Sequence, residues 1–97
     1  NMVIRNRRAI LKAFKKHAAV RKPLAERVEI AEAAQWHNIV EARSLWPSTD
    51  AIRGTNLTCF NIGGNNFRLI AIVSYELQEI VIDEVLTHAE YSKKHGK

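Results

Sequence analysis

Four side chains in the second half of the chain are of types suited to reaction at a phosphate: Asn61, Arg68, His88 and Tyr91. Arginine is a fixed cation whose planar guanidinium can grip a phosphate through two hydrogen bonds. Histidine titrates near neutrality and can move a proton in either direction. Tyrosine can stack on a base or take part in proton transfer. RNA brings its own nucleophile, the 2′-hydroxyl. A protein acting on it has to deprotonate that group, stabilise charge at phosphorus and protonate the leaving 5′-oxygen. That chemistry requires no metal, no cofactor and no covalent enzyme nucleophile.

Each of these residues also has a structural reading. Arg68 lies within an apolar run and can snorkel or pair with Glu84. His88 can cap or decorate a surface, Tyr91 can pack a terminal turn, and Asn61 can serve the turn that follows it. The Gly63-Gly64 pair precedes neither Lys-Ser/Thr nor a helical pattern, so it is no phosphate-binding P-loop. Trp36 and Trp46 are expected in the core. His17, His37, His88 and His95 show no metal-ligand spacing, and with the single Cys59 they predict no zinc site. Cys59 lies in no motif that argues for a nucleophile.

The elements that must position these groups divide the chain in two. Val3 and Ile4 can open the fold as a short strand. A helix is expected from Arg7 to Ala19, with Ile10, Leu11, Phe14 and Ala18 on one face and Arg8, Lys12, Lys15 and Lys16 on another. Lys22-Pro23 should interrupt it, because the residue before a proline disfavours helix. Pro23 then suits the first turn of a second helix running to Gln35. Its inward positions are Leu24, Val28, Ala31 and Ala34, and its outer face carries Glu26, Glu29 and Glu32. Residues 38–45 can form a third helix ended by Pro47.

From residue 55 the pattern is that of strands. Leu57–Ile62, Phe67–Ser74 and Ile80–Leu86 are apolar and rich in β-branched residues. Gly63-Gly64-Asn65-Asn66 and Tyr75–Glu79 separate them as hairpin connections. The three read as an antiparallel meander. Thr87 can cap a final helical turn, with Glu90 three residues on as in a capping box. Helices first and strands later give an α+β class, a small domain of N-terminal helices packed on an antiparallel β-sheet. The 97 residues are expected to form a single domain, 1–97.

Hairpin geometry brings distant residues together. A first turn centred on Gly64 places Phe60 beside Arg68 and Asn61 beside Phe67. A second centred on Leu77 places Arg68 beside Leu86 and Asn66 beside His88. One end of the sheet then gathers Asn61, Arg68, Thr87 and His88, with Tyr91 a helical turn beyond His88. A register slip of one residue changes the faces and preserves the grouping.

Charge is uneven along the chain. Residues 1–25 hold eight basic residues and no acid, residues 26–92 hold four basic and ten acidic residues, and Lys93, Lys94 and Lys97 close the chain. Lys12, Lys15, Lys16, Lys93 and Lys94 are therefore candidate RNA contacts, together with Asn61, since neutralising phosphates releases counterions. A solvated helix face and a basic tail account for the same charge. No apolar run approaches membrane-spanning length, so no membrane association is expected. The N-terminus lacks the apolar stretch of a secretory signal. The single cysteine fits a reducing cytoplasm. Asn1 ahead of Met2 reads as a cloning remnant, with Met2 as the expected native start.

The segment Phe60-Asn61-Ile62-Gly63-Gly64-Asn65-Asn66-Phe67-Arg68-Leu69 resembles the FNIGGNxxRL stretch of HigB-type toxins, and Thr87-His88-Ala89-Glu90-Tyr91 resembles their THxEY ending. The spacing between the two, the two N-terminal helices and Trp46-Pro47-Ser48 are also similar. The resemblance covers nearly the whole chain and places it in the wider RelE-like group. It implies a small α+β fold and mRNA cleavage by a type II toxin, an endoribonuclease acting at the translating ribosome. It also implies neutralisation by a HigA-type antitoxin with a helix-turn-helix domain. Arg68 matches the position of a phosphate-contacting arginine in RelE-like proteins, and His88 and Tyr91 match their acid/base and stacking segment. The pair of strand lysines found in some RelE-like enzymes is missing, which leaves the general base unassigned. Two other functions use the same features: a non-catalytic RNA- or ribosome-binding module, and an interaction domain that docks a partner peptide.

Overall fold

A computed structural model describes residues 1–95; Lys97, counted above in the basic tail, lies outside the described residues. The chain opens with strand β1 (Val3–Arg5), followed by helix α1 (Arg7–Lys16) and a turn of 3-10 helix at Ala18–Val20. Helix α2 (Arg21–Ala33), helix α3 (Ile39–Leu45) and the short strand β2 (Asp50–Ala51) come next. The meander is β3 (Thr58–Ile62), β4 (Phe67–Ser74) and β5 (Glu79–Thr87), and helix α4 (His88–His95) ends the fold. This is the expected α+β arrangement. The sheet has five strands in the order β1-β5-β4-β3-β2. The meander within it is antiparallel, and β1 joins its free edge parallel to β5, with Ile4 opposite Ile80.

Helices cover one face of this sheet. Phe60, Ile62, Phe67, Leu69, Ala71, Ile80 and Ile82 bury against Ile10 and Ala13 of α1, Leu24, Val28 and Ala31 of α2, Ala34, and both tryptophans. The inward set of α2 is as expected, and Trp36 and Trp46 are core residues. On α1 the expectation needs correction. Leu11 is 58% exposed and Ala18 is also exposed, while Ala9 and Ala13 join Ile10 and the half-buried Phe14 on the inward side. The small alanines let the helix approach the sheet closely, which rotates Leu11 outward.

The break between the helices also lies earlier than Lys22-Pro23. His17 is extended (φ −135°, ψ 92°) and ends α1, and α2 already begins at Arg21. Pro23 sits in the first turn of α2, where its missing N–H has no intrahelical partner to lose. Asn38 caps α3 by accepting a hydrogen bond from the Glu41 N–H at 3.0 Å. Asn6, in the left-handed region at φ 65°, turns the chain from β1 into α1, and its Nδ2 donates to the Ile82 carbonyl at 2.7 Å. No helix among the described residues is long and apolar enough to cross a membrane.

Candidate functional site

The register of the first hairpin differs from the expectation by one residue. Asn61, rather than Phe60, pairs with Arg68, and Ile62 pairs with Phe67. The physical reason is the connection, which has four residues, Gly63–Asn66, so that its centre falls between residues rather than on Gly64. Gly63 and Gly64 both take positive φ (60° and 69°), a conformation glycine adopts without steric cost. The corrected register puts Asn61 and Arg68 side by side on one face of the sheet, away from α1 and α2. Cys59 and Ile70 form the next pair on that face, and Asp50 of β2 lies opposite Cys59.

The second hairpin places Arg68 opposite Leu86, as expected. It does so by two cancelling offsets. The four-residue turn Tyr75–Gln78 shifts the pairing by one, and a bulge that passes over Asp83 between Ile82 and Glu84 shifts it back. The His88 N–H then donates to the Asn66 carbonyl at 2.9 Å, the juxtaposition foreseen from the sequence. The capping box also forms. Thr87 Oγ1 accepts from the Glu90 N–H at 3.1 Å, and Glu90 Oε1 accepts from the Thr87 N–H at 2.9 Å. Thus fixed at its N-terminus, α4 folds back over the second face of the sheet, and Ile70 is fully buried.

Arg68 lies beneath this helix, 8% exposed. Its Nη1 donates to the Asn65 carbonyl at 3.0 Å and to the Phe67 carbonyl at 3.3 Å, and its Nη2 donates to Asn65 Oδ1 at 2.7 Å. Its guanidinium carbon stands 5.5 Å from the centre of the Tyr91 ring. Glu84, the alternative partner weighed for Arg68, is instead taken by Lys94 at 2.6 Å. Among the described residues no carboxylate pairs with the guanidinium, and its charge is open to an anion. Nε and one hydrogen of Nη2 have no protein acceptor among the described residues.

Asn61 Nδ2 donates to the same Asn65 Oδ1 at 3.3 Å, so Asn65 links Asn61 to Arg68. The backbone of Asn61 is itself anchored: its carbonyl accepts from Trp46 Nε1 at 2.8 Å, and its N–H donates to Ser48 Oγ at 3.0 Å. Tyr91 and Cys59 lie near one another on this face. Burial raises the pKa of both groups; for Tyr91 the nearby Cys59 adds to the rise, and the charge of Arg68 opposes it. Tyr91 is thus a protonated phenol at neutral pH, able to donate but not to accept a proton.

His88 stands apart from this cluster. It is exposed, and its Nδ1 lies 3.2 Å from Ser92 Oγ. The imidazole that touches Tyr91 is that of His95, with ring centres 5.1 Å apart. From the sequence His95 enters only as a failed metal ligand, Asn65 only as part of a hairpin turn, and Cys59 only as a cysteine in no nucleophile motif. The i, i+4 spacing from Tyr91 was a signal for His95, once α4 was extended beyond one turn.

The basic candidates are spread around the site. Lys16 pairs with Glu90 at 3.4 Å, so the C-terminal end of the α1 basic stripe adjoins the start of α4. Lys12, Lys15 and Lys93 are exposed and have no carboxylate partner among the described residues. No three of His, Cys, Asp and Glu gather as a metal site would need, again among the described residues.

This arrangement can bind an anionic group at Arg68 and present an aromatic ring and imidazoles to whatever carries it. Comparison with known proteins finds relatives of matching kind. The chain is 40% identical over 50 residues to the mRNA interferase toxin HigB of Escherichia coli strain K12, a region that is 50% of this chain and 48% of the relative. The proteins named mRNA interferase HigB in Escherichia coli O157:H7 and Shigella flexneri match to the same extent, 40% over 50 residues. The match thus spans about half the length of these curated relatives. The sequence profile of the HigB toxin family, the RelE-like toxic component of a toxin-antitoxin system, matches residues 20–94. That span runs from the start of α2 through the meander into α4, and the chain belongs to this family.

Proposed function

We propose that the chain is the toxin of a type II toxin–antitoxin system, an endoribonuclease that cleaves mRNA on the translating ribosome. Residues 1–97 act as a single RelE-like domain in the cytoplasm, with a HigA-type helix-turn-helix antitoxin as partner. The observation that carries this reading is the Arg68 guanidinium, held by Asn65 and Tyr91 with no carboxylate against it among the described residues. Arg68 binds the scissile phosphate and stabilises the charge that builds there. Tyr91 stacks on or orients the neighbouring base, as aromatic side chains do with unstacked RNA. Asn61 lies beside Arg68 on the sheet and lines the path of the strand. His88, in contact with solvent, gives its proton to the leaving 5′-oxygen. The 2′-oxygen attacks the adjacent phosphorus, so the products carry a 2′,3′-cyclic phosphate and a 5′-hydroxyl. The RNA supplies the nucleophile and Arg68 the charge stabilisation, so the reaction proceeds without a metal ion. Lys12, Lys15, Lys16, Lys93 and Lys94 hold the mRNA or ribosomal RNA backbone.

The test is incubation of purified protein with translating ribosomes, with and without a chelator, followed by mapping of RNA ends. Cleavage that survives the chelator and is lost in folded Arg68→Ala and His88→Ala variants is expected. Binding with a steep salt dependence and no new ends would instead make the chain a non-catalytic RNA-binding module. Tight protein binding with no effect on RNA would make it an interaction domain.

A further inference from the structure

Helices α1 and α2 run antiparallel. Arg7 at the start of α1 pairs with Glu32 near the end of α2, and Arg21 at the start of α2 lies over the ring of Phe14, 5.3 Å from its centre. An open groove of about 340 Å³ lies between the two helices, lined by Ile10, Leu11, Phe14, Ala25 and Val28 and bordered by Glu29. Leu11, turned outward on α1, is its most exposed apolar wall. A lone exposed leucine needs no partner, but one that flanks a continuous apolar trough marks a surface suited to docking. The two rims of the trough carry opposite charge. By helical spacing Arg8, Lys12 and Lys15 follow one another along the outer side of α1, and Glu26 and Glu29 along the outer side of α2. All five are exposed, and none has an ion-pair partner among the described residues. Arg21 and Lys22 lie past the end of the acidic row, in the first turn of α2. An RNA strand suits only half of this face, because Glu26 and Glu29 repel it and the apolar trough offers it nothing.

We propose that the α1–α2 face is a self-association surface on which a second copy of this chain docks. Charge complementarity selects both the occupant and its orientation. Two copies that meet face to face about a two-fold axis running along the groove set the α1 rim of each against the α2 rim of the other. Arg8 and Lys15 then face Glu26 and Glu29 on both sides, and each Leu11 enters the trough of the other copy. A two-fold axis running across the groove sets basic rim against basic rim and is disfavoured. The ten residues of α1 span only about 15 Å. The contact is therefore small and the dimer weak and concentration-dependent. It covers Arg8 and Lys15 and leaves Arg68, on the opposite face of the sheet, uncovered. The proposal does not depend on the endoribonuclease reading.

Sedimentation velocity of the whole chain over roughly 10 µM to 1 mM, the range in which a small interface fills, tests the proposal. The wild type is expected to pass from monomer to dimer, with weaker association as salt is raised. Leu11→Ser should raise the dimer Kd at least about tenfold, since each dimer buries two of these side chains. Two charge-reversed proteins give the sharper test. Glu26→Lys with Glu29→Lys makes both rims basic, and Arg8→Glu with Lys15→Glu makes both acidic. Each should be monomeric alone, and an equimolar mixture of the two should form a heterodimer. All substitutions lie on the exposed helix surface, and unchanged far-UV circular dichroism checks that the variants are folded. A wild type that stays monomeric throughout would overturn the proposal. So would a dimer indifferent to Leu11→Ser, or reversed variants that dimerise alone and gain nothing on mixing. A monomeric wild type that binds an amphipathic helical peptide in the groove would give the face to a different partner and overturn it as well.

Discussion

Replacing Asn65 separates the holding of Arg68 from the presence of Arg68. Asn65 grips the guanidinium twice, through its carbonyl at 3.0 Å and its Oδ1 at 2.7 Å. Asn65→Ala removes only the second contact and the link to Asn61. The backbone tolerates alanine, because Asn65 is not among the positive-φ positions of the turn. A hydrogen bond from a charged donor contributes about 1.5–3 kcal/mol. Asn65 is exposed, so water replaces part of the lost bond and the lower end applies. Since about 1.4 kcal/mol corresponds to a factor of ten, the cleavage rate should fall about tenfold. Folding should weaken by only about 1 kcal/mol, a few degrees in Tm for a chain of this size. Asn65→Asp provides the contrast. Its carboxylate pairs with Arg68, so Tm should hold or rise while activity drops further through competition with the phosphate. The assay is single-turnover cleavage on stalled ribosomes, with thermal unfolding run alongside. An Asn65→Ala protein with the wild-type rate, or an Asn65→Asp protein that is more active, would refute the view that a carboxylate-free, clamped guanidinium is the working group.

Thr87→Ala removes the cap of α4 and should cost about 1 kcal/mol, read as loss of Tm and fraying of α4 by hydrogen exchange. The same cap should be pH-sensitive, because the Thr87 N–H, followed by Lys16, holds the Glu90 carboxyl below its ordinary value of 4.5. A depressed carboxylate stabilises the fold above its unfolded pKa, so protection of α4 should be intact at pH 6 and lost as the pH falls below about 4.5; unchanged protection at pH 3 would count against it. Cys59, 5% exposed and with its thiol pushed up by burial, should alkylate at pH 7.5 many times more slowly in the folded protein than in denaturant, as followed by mass spectrometry. Equal rates would show that α4 does not close over the sheet.

Much of the fold was legible because its elements announce themselves locally. The β-branched runs, the Gly63-Gly64 turn and the Thr87–Glu90 spacing each report on a few neighbouring residues. What the sequence concealed depends on contacts between elements. The inward face of α1 is set by how closely Ala9 and Ala13 approach the sheet, and hydrophobicity alone assigns Leu11 to the wrong side. Parallel pairing of β1 with β5 joins residues about 76 positions apart, with Ile4 opposite Ile80, and no local signal encodes it.

The site was legible in membership and illegible in detail for a related reason. Arg68 and Asn61 lie on one face only because a four-residue turn shifts the register by one, and Arg68 meets Leu86 only because the Asp83 bulge undoes a second shift. Either offset alone would carry a strand's side chains to the opposite face. In the same way, a one-turn reading of the last segment makes His88 the only imidazole near Tyr91. One further turn of helix brings His95 into ring contact with Tyr91, while His88, at the first position of the helix, lies beside Ser92. The contact of Tyr91 with a second imidazole is therefore a consequence of the length of α4. That length rests on the Thr87–Glu90 cap, with Lys93, Lys94 and His95 placed favourably in its last turn. A cap mutation should consequently loosen the Tyr91 ring over Arg68 while leaving in place the Asn65 clamp, which belongs to the first hairpin.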